Sequence, residues 1–287
     1  MEGLNIKPNG VYVDATFGGG GHSKKILSLL NKDGRLLAID QDEDAQRNTI
    51  NDERLIMVDA NFKYLKRFLR YHNLPKVDGI LADLGVSSHQ IDEASRGFST
   101  RFDAQLDMRM NQQASLSAET IVNKYSEEQL ANILFEYGEL RNSRVLAKRI
   151  IDSRKKQRIE TTQELKEILR NLVPEKYEHK TFAVIFQAIR IEVNQEMESL
   201  KEFLTQIPSI LDPEGRLCVI SYHSLEDRLV KRFIKDGHFN AEVNKDFFGN
   251  TSAPIKAVGK LIRPSNEEIK GNNRARSARL RVAKLAE

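Results

Sequence analysis

Apolar residues in the first third of the chain fall into short strand-like runs that end on an acid, each followed by residues with helical periodicity. Val11-Tyr12-Val13-Asp14 leads through Gly18 to Gly21 into a helix predicted over Ser23 to Leu30. Arg35 to Asp40 precedes a helix over Asp42 to Ile50, and Leu55 to Val58, closed by Asp59, precedes one over Lys63 to Tyr71 with Leu65, Phe68 and Leu69 on its core stripe. Val77 to Gly85 is a further strand carrying Asp83 near its end. Alternation of this kind predicts a parallel sheet with right-handed crossovers, and ligands bind outside the carboxyl ends of its strands. Asp14, Asp40 and Asp83 are therefore expected along one edge.

The pattern then changes. Val86-Ser87-Ser88-His89-Gln90 opens a long polar stretch running through Arg96-Gly97-Phe98-Ser99 to Leu106-Asp107-Met108-Arg109-Met110. A loop of that length inside a compact domain is usually functional. Amphipathic helices follow over 117–125, 126–137, 141–155, 161–173 and 181–211, two of them opened by the capping boxes Ser126 with Gln129 and Thr161 with Glu164. Strand character returns at Arg216 to Tyr222, then a helix over Leu225 to Ile234, and from Pro254 the chain reads as basic and irregular. This organisation gives a discontinuous α/β domain, residues 1–110 and 205–287, carrying an all-helical insertion over 111–204.

Composition narrows the class only slightly. The 287 residues are 40% apolar and 30% charged, ordinary for a soluble globular protein, and the formal charge of +4 permits a nucleic-acid partner without requiring one. A single cysteine, Cys218, excludes an intramolecular disulfide framework. No apolar run approaches a membrane span and no signal-peptide core precedes the first strand, so a cytoplasmic protein with no membrane partner is expected.

The chemistry is read from the strand ends. Glycine can take positive φ and expose bare backbone amides to a bulky nucleoside cofactor at a helix start. A dinucleotide fingerprint wants a third glycine where Ser23 stands, and a pyrophosphate needs no acid beside it, so Asp14 favours the cationic S-adenosylmethionine over a nicotinamide cofactor. Asp40, about twenty residues past the glycines, is placed to accept ribose hydroxyls; the alternative is a helix cap. Phe62 covers an adenine face or joins the core. Arg274, Arg276 and Arg279 cluster in Asn273-Arg274-Ala275-Arg276-Ser277-Ala278-Arg279-Leu280-Arg281 and suit a phosphate backbone; the alternative is a solvated basic strand at the sheet edge. Tyr222 is expected to stack on a target base, with Ser224 capping the next helix. His223 has no second histidine at ligand spacing, so no metal site is expected. Gln187, Arg190 and Asn194 share one helix stripe, expected to hold substrate or else to form a polar seam between domains.

Together these segments resemble the bacterial small-subunit ribosomal RNA cytosine-N4 methyltransferases, the RsmH or MraW family. The resemblance rests on Val13 to Ser23, Ala38 to Asp42, Asp83 to Ser88, Arg96 to Ser99, Leu106 to Met110, Phe186 to Ile191, His223 to Arg228 and Arg274 to Arg281. It implies a Rossmann-like S-adenosylmethionine-dependent methyltransferase with the helical insertion as substrate-recognition domain. It implies cofactor contacts at Gly20, Gly21, His22, Asp40, Phe62, Asp83 and Gln90. The implied partner is small-subunit ribosomal RNA, free or in the assembled 30S particle, with a cytidine of the decoding region as acceptor; the oligomeric state, a dimer included, stays open. Asp83 and the neighbouring Ser87 hydroxyl are the candidates for gripping the amine. Family members usually carry a His-x-Pro-Val-Leu-Leu-like segment ahead of the first strand, which is not found here, so either the start is truncated or the sheet edge and pocket lid differ. Competing readings are a methyltransferase for another nucleic acid and a non-catalytic rRNA-binding assembly factor.

Overall fold

The computed structural model describes residues 1–48, 50–239 and 253–286. Two compact units result, residues 1–85 with 197–287, and residues 86–196.

The first unit is built on a sheet. Its opening elements are β1 (Val11–Asp14), α1 (Gly21–Leu27), β2 (Arg35–Asp40), α2 (Glu43–Gln46), β3 (Leu55–Asp59), α3 (Leu65–Tyr71) and β4 (Val77–Asp83). In the second unit the helices are α4 (Ser88–Asp92), α5 (Ala118–Lys124), α6 (Glu127–Glu136), α7 (Ser143–Arg154), α8 (Thr162–Leu169) and α9 (Glu178–Asn194). The chain then returns through α10 (Glu196–Ile210), β5 (Leu211–Ser221), α11 (Ser224–Asp236), β6 (Ile255–Ala257), α12 (Asn266–Gly271) and β7 (Arg279–Leu285).

The sheet has seven strands in the order β3-β2-β1-β4-β5-β7-β6, and β7 runs antiparallel to both neighbours. The strands of the alternating units, β1 to β4, pair in parallel as expected, and the antiparallel closing strand makes the sheet mixed. Strand order reverses between β1 and β4, which pair in parallel. Such a switch point leaves a crevice at the carboxyl ends of the strands, because the two crossovers leave in opposite directions. Asp14 and Asp83 end the two strands that flank it.

Period-two alternation sorts the strands onto two cores. Val13, Leu37, Ile39, Ile80 and Leu217 pack with Leu65 and Leu69 of α3, Phe203 and Leu204 of α10 and Phe233 of α11. Tyr12, Leu36, Leu81 and Cys218 face the other way, onto Ile26 and Leu27 of α1. Burial pushes the Cys218 thiol up to about 12, which leaves it inert.

The unit boundaries differ from those expected. α10 belongs with the sheet, since its apolar face fills that core. Conversely Leu106 and Met108 are fully buried among the helices of residues 86–196. The stretch expected as a functional loop is held from within. Arg96 is buried and donates to the Arg109 and Met110 carbonyls at 2.9 and 3.2 Å, while Arg109 grips Asp107 through two bonds of 2.8 and 2.7 Å. Gly97 sits at φ 69°, where a Cβ would run into the Gln105 carbonyl. The helix expected over 181–211 is two helices, because Gln195 adopts φ 49° and ends α9.

Candidate functional site

The turn after β1 is fixed by β2 and β4. Asp40 accepts the Gly18 amide through Oδ2 at 2.8 Å and the Asp42 amide through Oδ1 at 2.9 Å. Asp42, with its own carboxylate accepting the Asp44 amide at 3.0 Å, is the cap of α2. So Asp40 organises the glycine turn and does not cap a helix. Gly20 stands at φ 74° as the N-cap of α1, where a Cβ would lie 2.9 Å from the Phe17 ring. A Cβ on Gly19 or Gly21 would meet nothing within 4 Å. That bare backbone is the space a nucleoside cofactor requires.

Asp14 departs from expectation. It is fully buried beneath the turn, accepting the Ser23 hydroxyl at 2.7 Å and the Thr16 amide at 3.3 Å. It therefore ties α1 to β1 and does not line the open edge. Burial pushes its carboxyl up from the ordinary 3.8 to about 6, against the opposing pull of Ser23. A carboxyl raised on folding stabilises the fold fully below its unfolded value, and that contribution is lost as pH rises through about 6. Asn at this position keeps the shape and removes the desolvated charge. We predict that Asp14→Asn gains stability over the natural chain between pH 4 and 7, reaching on the order of 2 to 3 kcal/mol, as read by urea unfolding at several pH values. A difference that does not vary with pH would contradict this.

Asp83, at the end of β4, collects the remaining groups. Its amide donates to Thr16 Oγ1 at 2.7 Å, its Oδ2 lies 3.2 Å from His22 Nε2, and its Oδ1 accepts the Tyr222 phenol at 3.0 Å. The bond to Asp83 raises the His22 value, more than burial lowers it. Burial and then the Asp83 charge push the Tyr222 phenol upward, so it stays a proton donor. A carboxylate thus sits at the switch point between an imidazole and a neutral phenol, all three partly open to solvent. Tyr222 was expected to stack on a base; its hydroxyl instead orients Asp83. Thr16 was not anticipated, although a hydroxyl residue two positions after a strand-ending acid is a signal that could have found it.

Other expected residues are placed differently. Phe62 meets Phe203 edge-on, with centroids 5.3 Å apart, and packs against the core while remaining half-buried. Ser87 and Gln90 lie in the helical unit and form a capping box on α4: Ser87 Oγ accepts the Gln90 amide at 3.2 Å and Gln90 Oε1 accepts the Ser87 amide at 2.9 Å. The Ser87 oxygen is thereby occupied as a cap. Arg190 pairs with Glu196 through two bonds of 2.8 and 2.9 Å, and Asn194 accepts the Met110 amide and donates to the Met108 carbonyl. Their stripe is an internal polar seam of that unit and not an open RNA surface. Arg279 and Arg281 both grip Asp227 of α11, at 3.0 and 2.7 Å, on a strand inside the sheet. Burial alone would raise the Asp227 carboxyl, but the two guanidiniums outweigh it and hold it low. Arg279 is thus a structural partner, whereas Arg274 and Arg276 are exposed on a short 3-10 turn over Asn273–Ser277. His223, not Ser224, caps α11, with Glu226 accepting the Tyr222 and His223 amides in return.

Comparison with known proteins adds a further finding. A model of the MraW methylase family matches residues 1–286. The protein named ribosomal RNA small subunit methyltransferase H in Flavobacterium johnsoniae is 60% identical over 283 residues, covering 99% of this chain and 94% of that protein. Its namesake in Bacteroides thetaiotaomicron is 55% identical over 284 residues, covering 99% and 93% respectively. A solved rRNA methylase from Streptococcus thermophilus aligns over 100% of this chain and 91% of its own, with 12% identity and a TM-score of 0.44.

Proposed function

The chain belongs to the MraW methylase family, and from that premise we propose that it methylates the exocyclic N4 amine of a cytidine in the decoding region of small-subunit ribosomal RNA, in the cytoplasm. The cofactor is S-adenosylmethionine, which supplies a methyl group on an already activated sulfonium. What remains for the protein is orientation and desolvation, together worth roughly 7 to 11 kcal/mol in well-ordered sites. Backbone at Gly20 and Gly21 would lie against the nucleoside, Asp40 would accept from the ribose hydroxyls, and the open face of Phe62 would cover the adenine. His22 completes the proposed cofactor contacts within the sheet unit.

The observation that carries the reading is the Asp83 carboxylate held between His22 and Tyr222 at the switch point. The cytosine amine is a weak nucleophile because its lone pair is delocalised into the ring. An acceptor that grips its hydrogens turns the lone pair outward and takes up positive charge as it develops. Asp83 is suited to this, and the Tyr222 phenol fixes which oxygen faces the acceptor. Ser87, already serving as a helix cap, is the weaker candidate. We assign the helical unit to substrate recognition, and Arg274 and Arg276 to phosphate contacts.

The test uses S-adenosylmethionine labelled in its methyl group, incubated separately with naked small-subunit RNA and with assembled 30S particles. Digestion and mass spectrometry should return a single N4-methylcytidine from one of the two. A methyl on a ring carbon, or none, would overturn the assignment. RNA binding without transfer would favour an assembly factor.

A further inference from the structure

One surface of the sheet unit is not used by the site described above. Lys63, Tyr64, Lys66, Arg67 and Arg70 line an open cavity of about 350 Å³ together with Glu202, Thr205 and Gln206 of α10. Its floor is stiff. Gln206 donates to the Lys63 carbonyl at 2.7 Å and accepts the Lys66 amide at 2.8 Å, which pins the start of α3 to α10.

Four cations face one acid there, and among the described residues none of Lys63, Lys66, Arg67 and Arg70 forms an ion pair. The nearby Lys201 does, with Glu198 at 2.6 Å. Within α3, Lys66 and Arg70 stand four residues apart, where like charges destabilise a helix, and Lys63 adds a cation from the 3-10 turn just before it. The sequence thus concentrates positive charge against the helix's own preference. One aromatic ring, Tyr64, lies among these charges, and a second, Tyr71, follows Arg70 just outside the cavity lining. Tyr64 is 37% exposed with Lys63 Nζ and Arg67 Cζ each 5.2 Å from its centroid, and Tyr71, at the far end of α3, is 80% exposed. A solvated helix face needs neither the groove nor the exposed rings.

The geometry points to this groove as a second contact surface for the substrate RNA, in which the four cations follow the phosphates and Tyr64 and Tyr71 receive unstacked bases. Cations interleaved with exposed aromatics are the arrangement by which proteins hold single-stranded nucleic acid without reading its sequence. The inference rests on rRNA being the substrate, and it adds a surface outside the catalytic cleft that contributes affinity alone.

The experiment compares the natural chain with a triple Lys66→Ala, Arg67→Ala, Arg70→Ala variant and with Tyr71→Ala. Binding to naked small-subunit RNA is measured across salt concentrations, alongside methyl transfer and S-adenosylmethionine affinity. The slope of log affinity against log salt should flatten by about 2 in the triple variant, at about 0.7 per lost phosphate contact on a single strand. Tyr71→Ala should bind at least about 5-fold more weakly. For both variants KM for RNA should rise, while kcat at saturating RNA and cofactor affinity hold. An unchanged salt slope overturns the groove even if transfer proceeds normally. Loss of binding to assembled particles but not to naked RNA also overturns it, in favour of a protein occupant. Failure of the natural chain to methylate either naked small-subunit RNA or assembled 30S particles instead removes the functional reading, which the binding slope does not test.

Discussion

Asp83→Asn is expected to lower methyl transfer by about 100- to 10,000-fold, the range over which a positioned proton acceptor acts. The amide retains the size of the carboxylate and one acceptor oxygen. It loses the charge that balances positive charge developing on the amine, and it can no longer pair with a protonated His22, now 3.2 Å from Oδ2. Binding of S-adenosylmethionine, measured by calorimetry, should change far less than turnover. Tyr222→Phe should fall between the natural chain and Asp83→Asn, since it removes the bond to Oδ1 and leaves the charge. If Asp83→Asn kept both cofactor binding and full turnover on rRNA, Asp83 would be a spectator.

Arg190→Ala is expected to destabilise the helical unit by on the order of 3 kcal/mol, because the Glu196 carboxylate, largely removed from solvent, loses both hydrogen bonds to the guanidinium. The two side chains are only 14% and 10% exposed and share two hydrogen bonds. Replacing both, Arg190→Met with Glu196→Leu, should recover most of the loss, since the desolvation cost of the pair disappears with it. Urea unfolding reads the stability, and KM for RNA in the fraction that folds should stay near that of the natural chain. An unchanged stability together with a raised KM would return Arg190 to the RNA surface.

The contrast between these residues shows what could be read from sequence. Asp83 was legible because an acid at the end of an apolar strand in an alternating α/β pattern falls at the ligand edge of the sheet. The same rule placed Asp14 on that edge, yet strand periodicity does not distinguish a carboxylate facing the crevice from one folded under the turn. The difference is made by Ser23, which donates to it from α1. Arg190 was misread because its partner lies beyond a left-handed residue, Gln195, in a segment with unbroken helical periodicity. Ser87 and Gln90 stand at the spacing of a capping box, as Ser126 and Thr161 do with their partners, but the helix they open, Ser88–Asp92, is too short to show helical periodicity in the sequence. Arg279 and Arg281 alternate with Leu280 and Val282, a strand pattern present in the sequence; their pairing with Asp227, 52 and 54 positions away, is a tertiary fact.

The central claim is that a methyl donor lies across the bare glycine turn with Asp83 beside its reactive end. A crystal structure grown with S-adenosylhomocysteine tests it most directly. The nucleoside should be found against Gly20 and Gly21, its ribose on Asp40 and its sulfur toward the His22, Asp83 and Tyr222 cluster. Density for the ligand elsewhere on the molecule, with that crevice holding only solvent, would contradict it.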